Sequence, residues 1–281
     1  MKVFQLQKDL KNYLKINKIN DKSIGFVPTM GALHDGHLAL VKSSLKHNDF
    51  TVVSIFVNPT QFDNKDDLKK YPRTLKNDLD ALKSVDKNII VYTPIATDIY
   101  EGEVKSKHFD FDGLENEMEG KHRKGHFDGV GTIVKKLFEI VEPDKAYFGE
   151  KDFQQLQIIK KLVEKEKMNI QIVPISIFRE ADGLAMSSRN KRLTKKHREI
   201  APFIHQILLD TQKMWQSSSI EEIIKYVENC FAKQPLLELE YFEIADENTL
   251  IPSKQKINGN KYRGFIVVHA GDVRLIDNIG Y

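Results

Sequence analysis

Residues 23–47, SIGFVPTMGALHDGHLALVKSSLKH, combine a short apolar run with a helical pattern, and this combination decides the fold class. The run Ile24–Val27 is continuous and bounded by turn residues, which predicts a buried strand. Apolar positions in HLALVKSSLKH then recur with helical spacing. The stretch therefore predicts a strand that passes through a glycine-containing turn into a helix.

The turn itself carries His34 and His37, with Gly31 and Gly36 beside them. A helix N-terminus presents unpaired N–H groups and the positive end of the helix dipole, so it attracts phosphate. Glycines allow a nucleotide to approach the backbone closely, and residues three apart near a helix start share a face. The pattern is compatible with two imidazoles that stabilise charge on a phosphate. A surface turn with a capping histidine is the structural alternative.

The segments that surround this stretch alternate between strand and helix patterns. Predicted strands are TVVSIFVNP, NIIVYTP, KAYFG and IQIVPISI, and predicted helices are TLKNDLDALKSV, VGTIVKKLFEIV and QQLQIIKKLVEKE. The first residues place Val3, Leu6, Leu10, Tyr13 and Leu14 at helical spacing. Alternation of this kind predicts a doubly wound, Rossmann-like parallel α/β sheet that binds its ligands at the carboxyl ends of the strands.

The pattern changes near residue 177, where a polar segment is followed by two helical patterns and then strands. The last two strands, YRGFIVVHAG and VRLIDNIGY, are separated at Gly271-Asp272, which predicts a terminal hairpin. We therefore expect a nucleotide- and substrate-binding domain over residues 1–177 and a smaller α+β domain over residues 178–281.

Composition narrows the class of protein. The 281 residues carry a formal net charge of +3, which is too weak and too dispersed to predict nucleic-acid binding. No run approaches the ~20 consecutive apolar residues of a membrane span. A single cysteine, Cys230, excludes an intrachain disulfide and favours a reducing compartment. We expect a cytoplasmic protein.

Several motifs resemble those of the pantoate–β-alanine ligase (pantothenate synthetase) family of the nucleotidyltransferase superfamily. The H-x-G-H pattern alone indicates only the superfamily, whereas PTMGALHDGH resembles the first motif of these ligases. The segments SIFVNPTQF, GKHRKGHFDGVGTIV, AYFGEKDFQQLQ and DGLAMSSRN resemble later motifs, in the family's order and at compatible spacing. The last of these is similar to the K-M-S-K-S loop of related enzymes.

The resemblance implies roles for particular residues. It implies that His37, His34, Lys151, Ser187, Ser188 and Arg189 are catalytic. It implies ATP binding by Met30, Gly31, Ala32, Leu33, His34, Asp35, Gly36, His37, Gly149, Glu150, Lys151, Asp152, Phe178, Met186, Ser187, Ser188 and Arg189. Pantoate and β-alanine would contact Gln61, Gln155, Asn58 and Arg123, and a metal would bind at Asp78.

The activity that the resemblance implies is condensation of (R)-pantoate with β-alanine to pantothenate. ATP would be a substrate, Mg²⁺ a cofactor, pantoyl adenylate the intermediate, and AMP and pyrophosphate the released products. The resemblance further implies a homodimer, and a C-terminal domain that closes as a lid. A sister adenylyltransferase is the alternative enzyme, although it would lack the FVNPTQF and GEKDFQQ segments. A nucleotide-sensing or RNA-binding relative is the alternative without catalysis.

Overall fold

The structure, a computed structural model, describes residues 1–17, 22–63 and 65–281. The chain forms two compact units. The first contains Met1–Glu150 and Gln155–Ser176, and the second contains Lys151–Gln154 and Ile177–Tyr281. The short segment 151–154 therefore groups with the second unit, whereas the sequence analysis assigned it to the first domain.

The first unit is built on a six-stranded parallel sheet in the order β1-β4-β3-β2-β5-β6. Its strands are β1 (Lys2–Phe4), β2 (Ile24–Thr29), β3 (Phe50–Ile55), β4 (Ile90–Tyr92), β5 (Lys145–Gly149) and β6 (Gln171–Ile175). The strands β2, β3 and β4 are nearly continuous buried apolar segments, as expected when helices cover both faces of a sheet.

Helices connect these strands. They are α1 (Gln7–Asn17), α2 (Asp35–His47), α3 (Lys65–Lys70), α4 (Leu75–Val85), α5 (Ala96–Ile99), α6 (Glu119–His122), α7 (His126–Val141) and α8 (Phe153–Lys165). The longest described helix, α7, buries 12 of its 16 residues, and eight of these are large apolar side chains. One apolar cluster contains Val27 of β2, Val41 of α2, Val53 of β3 and Leu82 of α4.

The strand order reverses between β2 and β5, since β3 and β4 continue on one side of β2 while β5 lies on the other. The β2–β5 ladder covers only Gly25–Phe26 against Lys145–Ala146, whereas β2 pairs with β3 over its full length. Beyond that ladder the carboxyl ends of β2 and β5 continue unpaired with each other. Open α/β sheets bind ligands at such a switch point.

The second unit contains the remaining helices and an antiparallel sheet. They are α9 (Lys195–Ile200), α10 (Phe203–Met214), α11 (Ile220–Ala232), β7 (Glu238–Asp246), β8 (Tyr262–Ala270) and β9 (Val273–Gly280). Leu208 of α10, Val227 of α11 and Val268 of β8 are fully buried in one apolar core. Ser219 and Glu222 form a reciprocal capping box at the start of α11.

The predicted fold class, a Rossmann-like α/β domain with a smaller α+β domain, is confirmed. The prediction was wrong at the first residues, where Val3 belongs to β1 and not to a helix. Three residues are too short for a strand pattern to stand out against the helical spacing that follows. Across residues 1–17, 22–63 and 65–281, no helix combines the length and apolar character needed to cross a membrane.

Candidate functional site

The turn after β2 reverses direction through two successive residues with left-handed backbone. Gly31 has φ +83° and Ala32 has φ +50°. This conformation is free for glycine but costs energy for alanine, so the surroundings of Ala32 must hold it. A carboxylate does so, because Asp78 accepts hydrogen bonds from the N–H groups of Ala32 (3.0 Å) and Leu33 (2.8 Å).

The two histidines meet at the start of α2. His34 is the N-cap residue, and His37 lies in the first turn. Their ring centroids are 3.9 Å apart with a 35° angle between the planes, and the His34 N–H points at Nδ1 of His37 at 3.4 Å. Both residues are half-buried. The structure therefore brings the two imidazoles together at a helix N-terminus, where the backbone dipole favours an anion.

The segment after β3 forms a single 3-10 turn, Pro59–Gln61, that buries Gln61. Asn58 precedes this turn and is only 1% exposed. Its Nδ2 donates to the carbonyl of Gly129 (3.2 Å) and to Oε1 of Gln61 (3.1 Å), and its Oδ1 accepts from the Tyr100 hydroxyl (2.5 Å). Asn58, predicted to contact substrate, is buried here, and its amide positions the Gln61 side chain.

This network fixes which end of the Gln61 amide remains for a ligand. The Gly129 carbonyl can only accept, so the atom of Asn58 that faces it must be the amide nitrogen. The same nitrogen faces Gln61, whose nearer atom must then be the oxygen. Nε2 of Gln61 is left beside the thioether of Met30 at 3.1 Å, a weak acceptor. Gln61 therefore presents the N–H donors of its amide to a ligand, while the amide oxygen binds Asn58.

A buried histidine links Gln61 to Arg123. His126 donates from Nδ1 to the Gln61 carbonyl (2.7 Å), and its Nε2 accepts from the Arg123 guanidinium (3.2 Å). Burial, aided by the charge of Arg123, lowers the pKa of His126 to about 4. The ring is thus neutral at physiological pH, as its role as acceptor for a guanidinium requires. Asp63 and Glu119 flank Arg123 at 3.5 and 3.6 Å.

The strand β5 ends at Gly149, and Glu150 follows it at the carboxyl edge of the sheet. A Cβ added at Gly149 would meet nothing within 4 Å. The backbone there is open to a ligand on that side. Gln155 lies in the first turn of α8 and is half-buried.

In the second unit, Lys151 is held by a residue from the other end of the chain. The Asn278 side-chain amide donates to the Lys151 carbonyl at 2.9 Å. The Lys151 ammonium lies 4.0 Å from Asp152, the outer limit of an ion pair. Sequence reasoning found Lys151 and Asp152 but missed Asn278, because the segment VRLIDN carries no pattern that signals a contact so distant in sequence.

The serine–arginine segment of the second unit is anchored to that unit. Ser187 caps a 3-10 turn, Ser188–Arg192, by accepting from the N–H of Arg189 at 3.3 Å, and Ser188 is buried. Met186 donates its N–H to the carbonyl of Phe178 at 3.0 Å. Phe178 is itself 42% exposed.

The loop that leads into this segment is fixed by ion pairs. Arg179 binds both oxygens of Asp277, at 2.6 and 3.0 Å, and Asp277 is nearly fully buried. Arg198 pairs with Glu180 and Asp182, each at 2.6 Å. These contacts attach the loop to the rest of the second unit.

The residues fit a protein-held magnesium ion poorly. Asp78 is 2% exposed, and both of its oxygens accept hydrogen bonds from the turn after β2. No cluster of three or more His, Cys, Asp or Glu side chains suited to a metal occurs within residues 1–17, 22–63 and 65–281. Magnesium often binds chiefly to water and substrate phosphates, so the reaction does not require such a cluster. Asp78 uses both oxygens to hold the turn, so a metal bound there would compete with these hydrogen bonds.

A cavity of about 370 Å³ lies at the carboxyl ends of β2, β3 and β4. Met30, Gly31 and Asp78 line it, and they are the only predicted site residues on its wall. Arg73, Thr93 and several apolar side chains complete the lining. The cavity therefore borders the turn after β2 without containing His34, His37 or Gln61.

Comparison with known proteins is consistent with this arrangement. The family model described as pantoate-beta-alanine ligase matches residues 2–280. A pantothenate synthetase from Flavobacterium psychrophilum is 58% identical over 279 residues, with 99% of each chain covered. One from Christiangramia forsetii is 51% identical at the same coverage.

Solved structures agree with the relatives found by sequence. A pantothenate synthetase from Thermus thermophilus superposes with a TM-score of 0.90 at 34% identity, with 99% of each chain covered. A pantoate-beta-alanine ligase from Francisella tularensis, complexed with beta-gamma ATP and beta-alanine, gives a TM-score of 0.82 at 37% identity. That alignment covers all of this chain and 97% of the other.

Proposed function

The chain belongs to the pantoate–β-alanine ligase family, and on that premise we propose which of its residues perform the reaction. The enzyme joins pantoate to β-alanine with ATP. The pantoate carboxylate attacks the α-phosphorus, and the bond to the leaving pyrophosphate breaks, which gives pantoyl adenylate. The β-alanine amine then attacks the activated carbonyl and releases AMP. Neither step needs a protein nucleophile, so the protein supplies alignment and charge stabilisation.

The paired imidazoles carry the proposal for the first step. His34 and His37 lie 3.9 Å apart at the N-terminus of α2, directly after β2. There they would stabilise the charge that develops on the α-phosphate, together with the N–H groups of the helix start. Met30 to Gly36, Gly149, Glu150, Asp152, Phe178 and Met186 are proposed as further ATP-binding residues. Lys151, Ser187, Ser188 and Arg189 would bind the β- and γ-phosphates, for which fixed cations and hydroxyl donors are suited.

Pantoate would be held through the donors that the structure leaves available. Gln61 Nε2 would donate to a pantoate oxygen, because Asn58 already occupies Oε1. Arg123 would bind the carboxylate, with His126 as the acceptor that orients its guanidinium. Gln155 is proposed to complete the pantoate contacts. Because the amine must outcompete water for the adenylate, exclusion of water from this pocket would favour the second step.

Three further features belong to the proposal, two from the resemblance and one from the cysteine content. Magnesium would enter with the ATP phosphates, and none of the steps above is assigned to it. The enzyme would be a homodimer, which light scattering in solution tests against the 32.4 kDa mass of one chain. A cytoplasmic location is favoured by the single cysteine, since reduced thiols are the rule there.

An end-point assay tests the proposal. ATP, Mg²⁺ and pantoate are incubated with and without β-alanine, and AMP, pyrophosphate and pantothenate are quantified. We expect AMP release and pantothenate only when both pantoate and β-alanine are present, and pantoate-dependent ATP–pyrophosphate exchange without the amine. AMP that stays attached to the acceptor would instead indicate a sister adenylyltransferase.

A further inference from the structure

We propose that Asp78 is a positioning residue that fixes the turn after β2, and with it His34 and His37, and that it does not bind magnesium. This inference rests on the proposed role of the two histidines. Asp78 lies in the first turn of α4, far from the turn in sequence. Its Oδ2 accepts from Ala32 N–H at 3.0 Å and its Oδ1 from Leu33 N–H at 2.8 Å.

The turn depends on this carboxylate for two reasons. Ala32 and Leu33 are buried, at 1% and 9% exposure, and buried N–H groups that lack an acceptor are costly. Ala32 also has φ +50°, a conformation that a non-glycine residue keeps only when its surroundings determine it. The N–H groups of two successive residues both donate to the Asp78 carboxylate, and these two hydrogen bonds hold Ala32 in its left-handed conformation.

The space around the carboxylate is equally restrictive. A Cβ built on Gly31 would lie 3.1 Å from Asp78 Oδ2 and 3.1 Å from the Ile55 side chain. The turn therefore sits in close contact with Asp78 on one side and with the end of β3 on the other. A side chain at residue 31 would have to displace Asp78 or Ile55, so the close approach of the turn to the carboxylate depends on glycine there.

Asp78 is itself held rigidly. Its N–H donates to the Thr74 carbonyl (2.9 Å), and the Thr74 hydroxyl donates to Oδ1 (3.1 Å). Its place in the first turn of α4 also lies near the positive end of that helix dipole, which stabilises a carboxylate. Thus α4 acts as a fixed support from which Asp78 reaches the turn.

The position of the turn determines the positions of the two histidines through the backbone. Leu33 directly precedes His34, whose carbonyl accepts the first bond of α2 from Leu38 at 3.0 Å. If the turn relaxes, His34 is displaced, and the contact with His37 changes with it. Misplacement of a catalytic group by about 1 Å lowers rates by about 100-fold.

The decisive comparison is between Asp78→Asn and Asp80→Asn. Asp80 lies two residues further along α4 and is exposed, so its substitution removes the same charge from the same helix. In Asp78→Asn the amide keeps the size of the carboxylate but turns an N–H₂ group toward one backbone N–H. Three quantities are measured: the imidazole NMR signals of the ligand-free protein, the kcat and KM of pantoate-dependent ATP–pyrophosphate exchange, and the Mg²⁺ concentration for half-maximal exchange.

For Asp78→Asn we expect shifted His34 and His37 imidazole signals and a kcat lowered by about 10- to 100-fold. The KM values and the Mg²⁺ requirement should stay near those of the unaltered enzyme, and Asp80→Asn should change none of these quantities. An increase of about tenfold or more in the Mg²⁺ requirement would indicate a metal ligand and overturn the proposal. Unchanged imidazole signals would also overturn it, whatever happens to the rate.

A second, milder variant tests the same contact in case Asp78→Asn does not fold. Thr74→Ala removes the hydroxyl that donates to Asp78 Oδ1 but keeps the carboxylate. It should shift the same imidazole signals in the ligand-free protein, by less than Asp78→Asn. Since these signals are recorded without substrate, shifted imidazoles with an unchanged exchange rate would refute the catalytic role of the histidines and leave the positioning by Asp78 intact.

Discussion

At the scale of single residues, hydrogen bonds fix the donor and acceptor atoms of some site side chains more firmly than those of others. Nδ1 of His37 faces the His34 N–H at 3.4 Å, which is long for a hydrogen bond. The amide of Gln61, in contrast, has its oxygen committed to Asn58, and the ring of His126 is locked between a carbonyl and a guanidinium. Substitutions at these residues should therefore have distinguishable effects.

Substitution His37→Ala should abolish most adenylate formation. Removal of a group that stabilises transition-state charge costs about 10²- to 10³-fold in kcat. Pantoate-dependent ATP–pyrophosphate exchange measures the effect, and circular dichroism checks the fold. His47→Ala is the matched control, because His47 is an exposed histidine at the opposite end of α2. Near-normal exchange in His37→Ala would remove that residue from the first step.

Substitution Gln61→Glu should weaken pantoate binding far more than ATP binding. The new carboxylate can still accept from Asn58, but it replaces the Nε2 donors with a second acceptor. Loss of a donor to a substrate oxygen is worth about 1–3 kcal/mol, or roughly 10- to 100-fold in the KM for pantoate. Steady-state kinetics with each substrate varied in turn measures the difference. An equal rise in the KM for ATP would contradict the assignment.

His126 should make the protein less stable as the pH falls. Burial lowers its pKa from 6.5 to about 4. Between these values the unfolded chain binds a proton that the folded protein does not, so the free energy of unfolding decreases with decreasing pH. The contribution is present above pH 6.5 and lost by pH 4, and it amounts to about 3 kcal/mol.

The variant His126→Gln lacks this titration. Urea unfolding of both proteins between pH 7.5 and pH 4 measures the effect. The unaltered protein should be the more stable at neutral pH, and its advantage over His126→Gln should shrink by about 3 kcal/mol across that range. A stability difference that is constant with pH would show that His126 titrates normally.

At the scale of elements, helix α7 packs against the 3-10 turn after β3 so closely that the position of one backbone limits the position of the other. A Cβ on Gly129 would lie 2.4 Å from the Thr60 carbonyl oxygen, and Gln61 Cα would be 2.7 Å away. Since both neighbours are backbone, neither can rotate aside. The glycine thus sets the distance at which the turn presents Gln61.

Substitution Gly129→Ala should therefore raise the KM for pantoate by about tenfold or more and lower stability by about 1–3 kcal/mol. Gly131→Ala is the control on the same helix, because its Cβ would meet the rings of Phe111 and Phe109 and not the turn. It should lower stability with little change in the KM for pantoate. Substrate kinetics and thermal unfolding of the two variants separate these outcomes.

The elements themselves were largely predictable from sequence. Helices α2, α4 and α8 and strands β2, β3 and β5 follow the patterns that indicated them, because each carries enough apolar periodicity or continuity to be distinctive. The strand β1 was not predictable, since its apolar Val3 fits the spacing of the following helix. The first motif was recognised as a unit because strand, turn and helix are contiguous in sequence.

The site was predictable only as a set of residues and not as a network. Sequence singled out Asn58 and Asp78, but the contacts that determine their positions come from Gly129 and from residues 32 and 33. Asn278, which holds Lys151, had no signal. Such contacts depend on strand order, and no local pattern records which distant backbone groups will become neighbours.

At the scale of the whole molecule, each of the two units has its own apolar core. In the first unit, β2 is central and pairs on both sides, whereas β1 lies at the edge of the sheet. Val3 of β1 is 44% exposed, but Val27 of β2 and Val53 of β3 are fully buried. Protection from solvent therefore falls from the centre of the sheet toward β1.

Hydrogen exchange should reveal this gradient. Amides of β1 should exchange much faster than those of β2 and β3, because an edge strand of three residues opens without disrupting the core. Mass spectrometry of peptic fragments after exchange in deuterated buffer measures the rates. Equal protection of β1 and β2 would mean that the sheet opens only by global unfolding.

The same strand order has a consequence for how the protein is made. The ladder of β1 joins Lys2–Phe4 to Ile90–Tyr92, so the first strand has no partner until β4 has been synthesised. Strands β2 and β3, which adjoin the histidine turn, are much closer in sequence and need a shorter loop to close. On the ribosome the β2–β3 pair can thus form first, β1 can join once β4 has been synthesised, and β5 and β6 complete the sheet last.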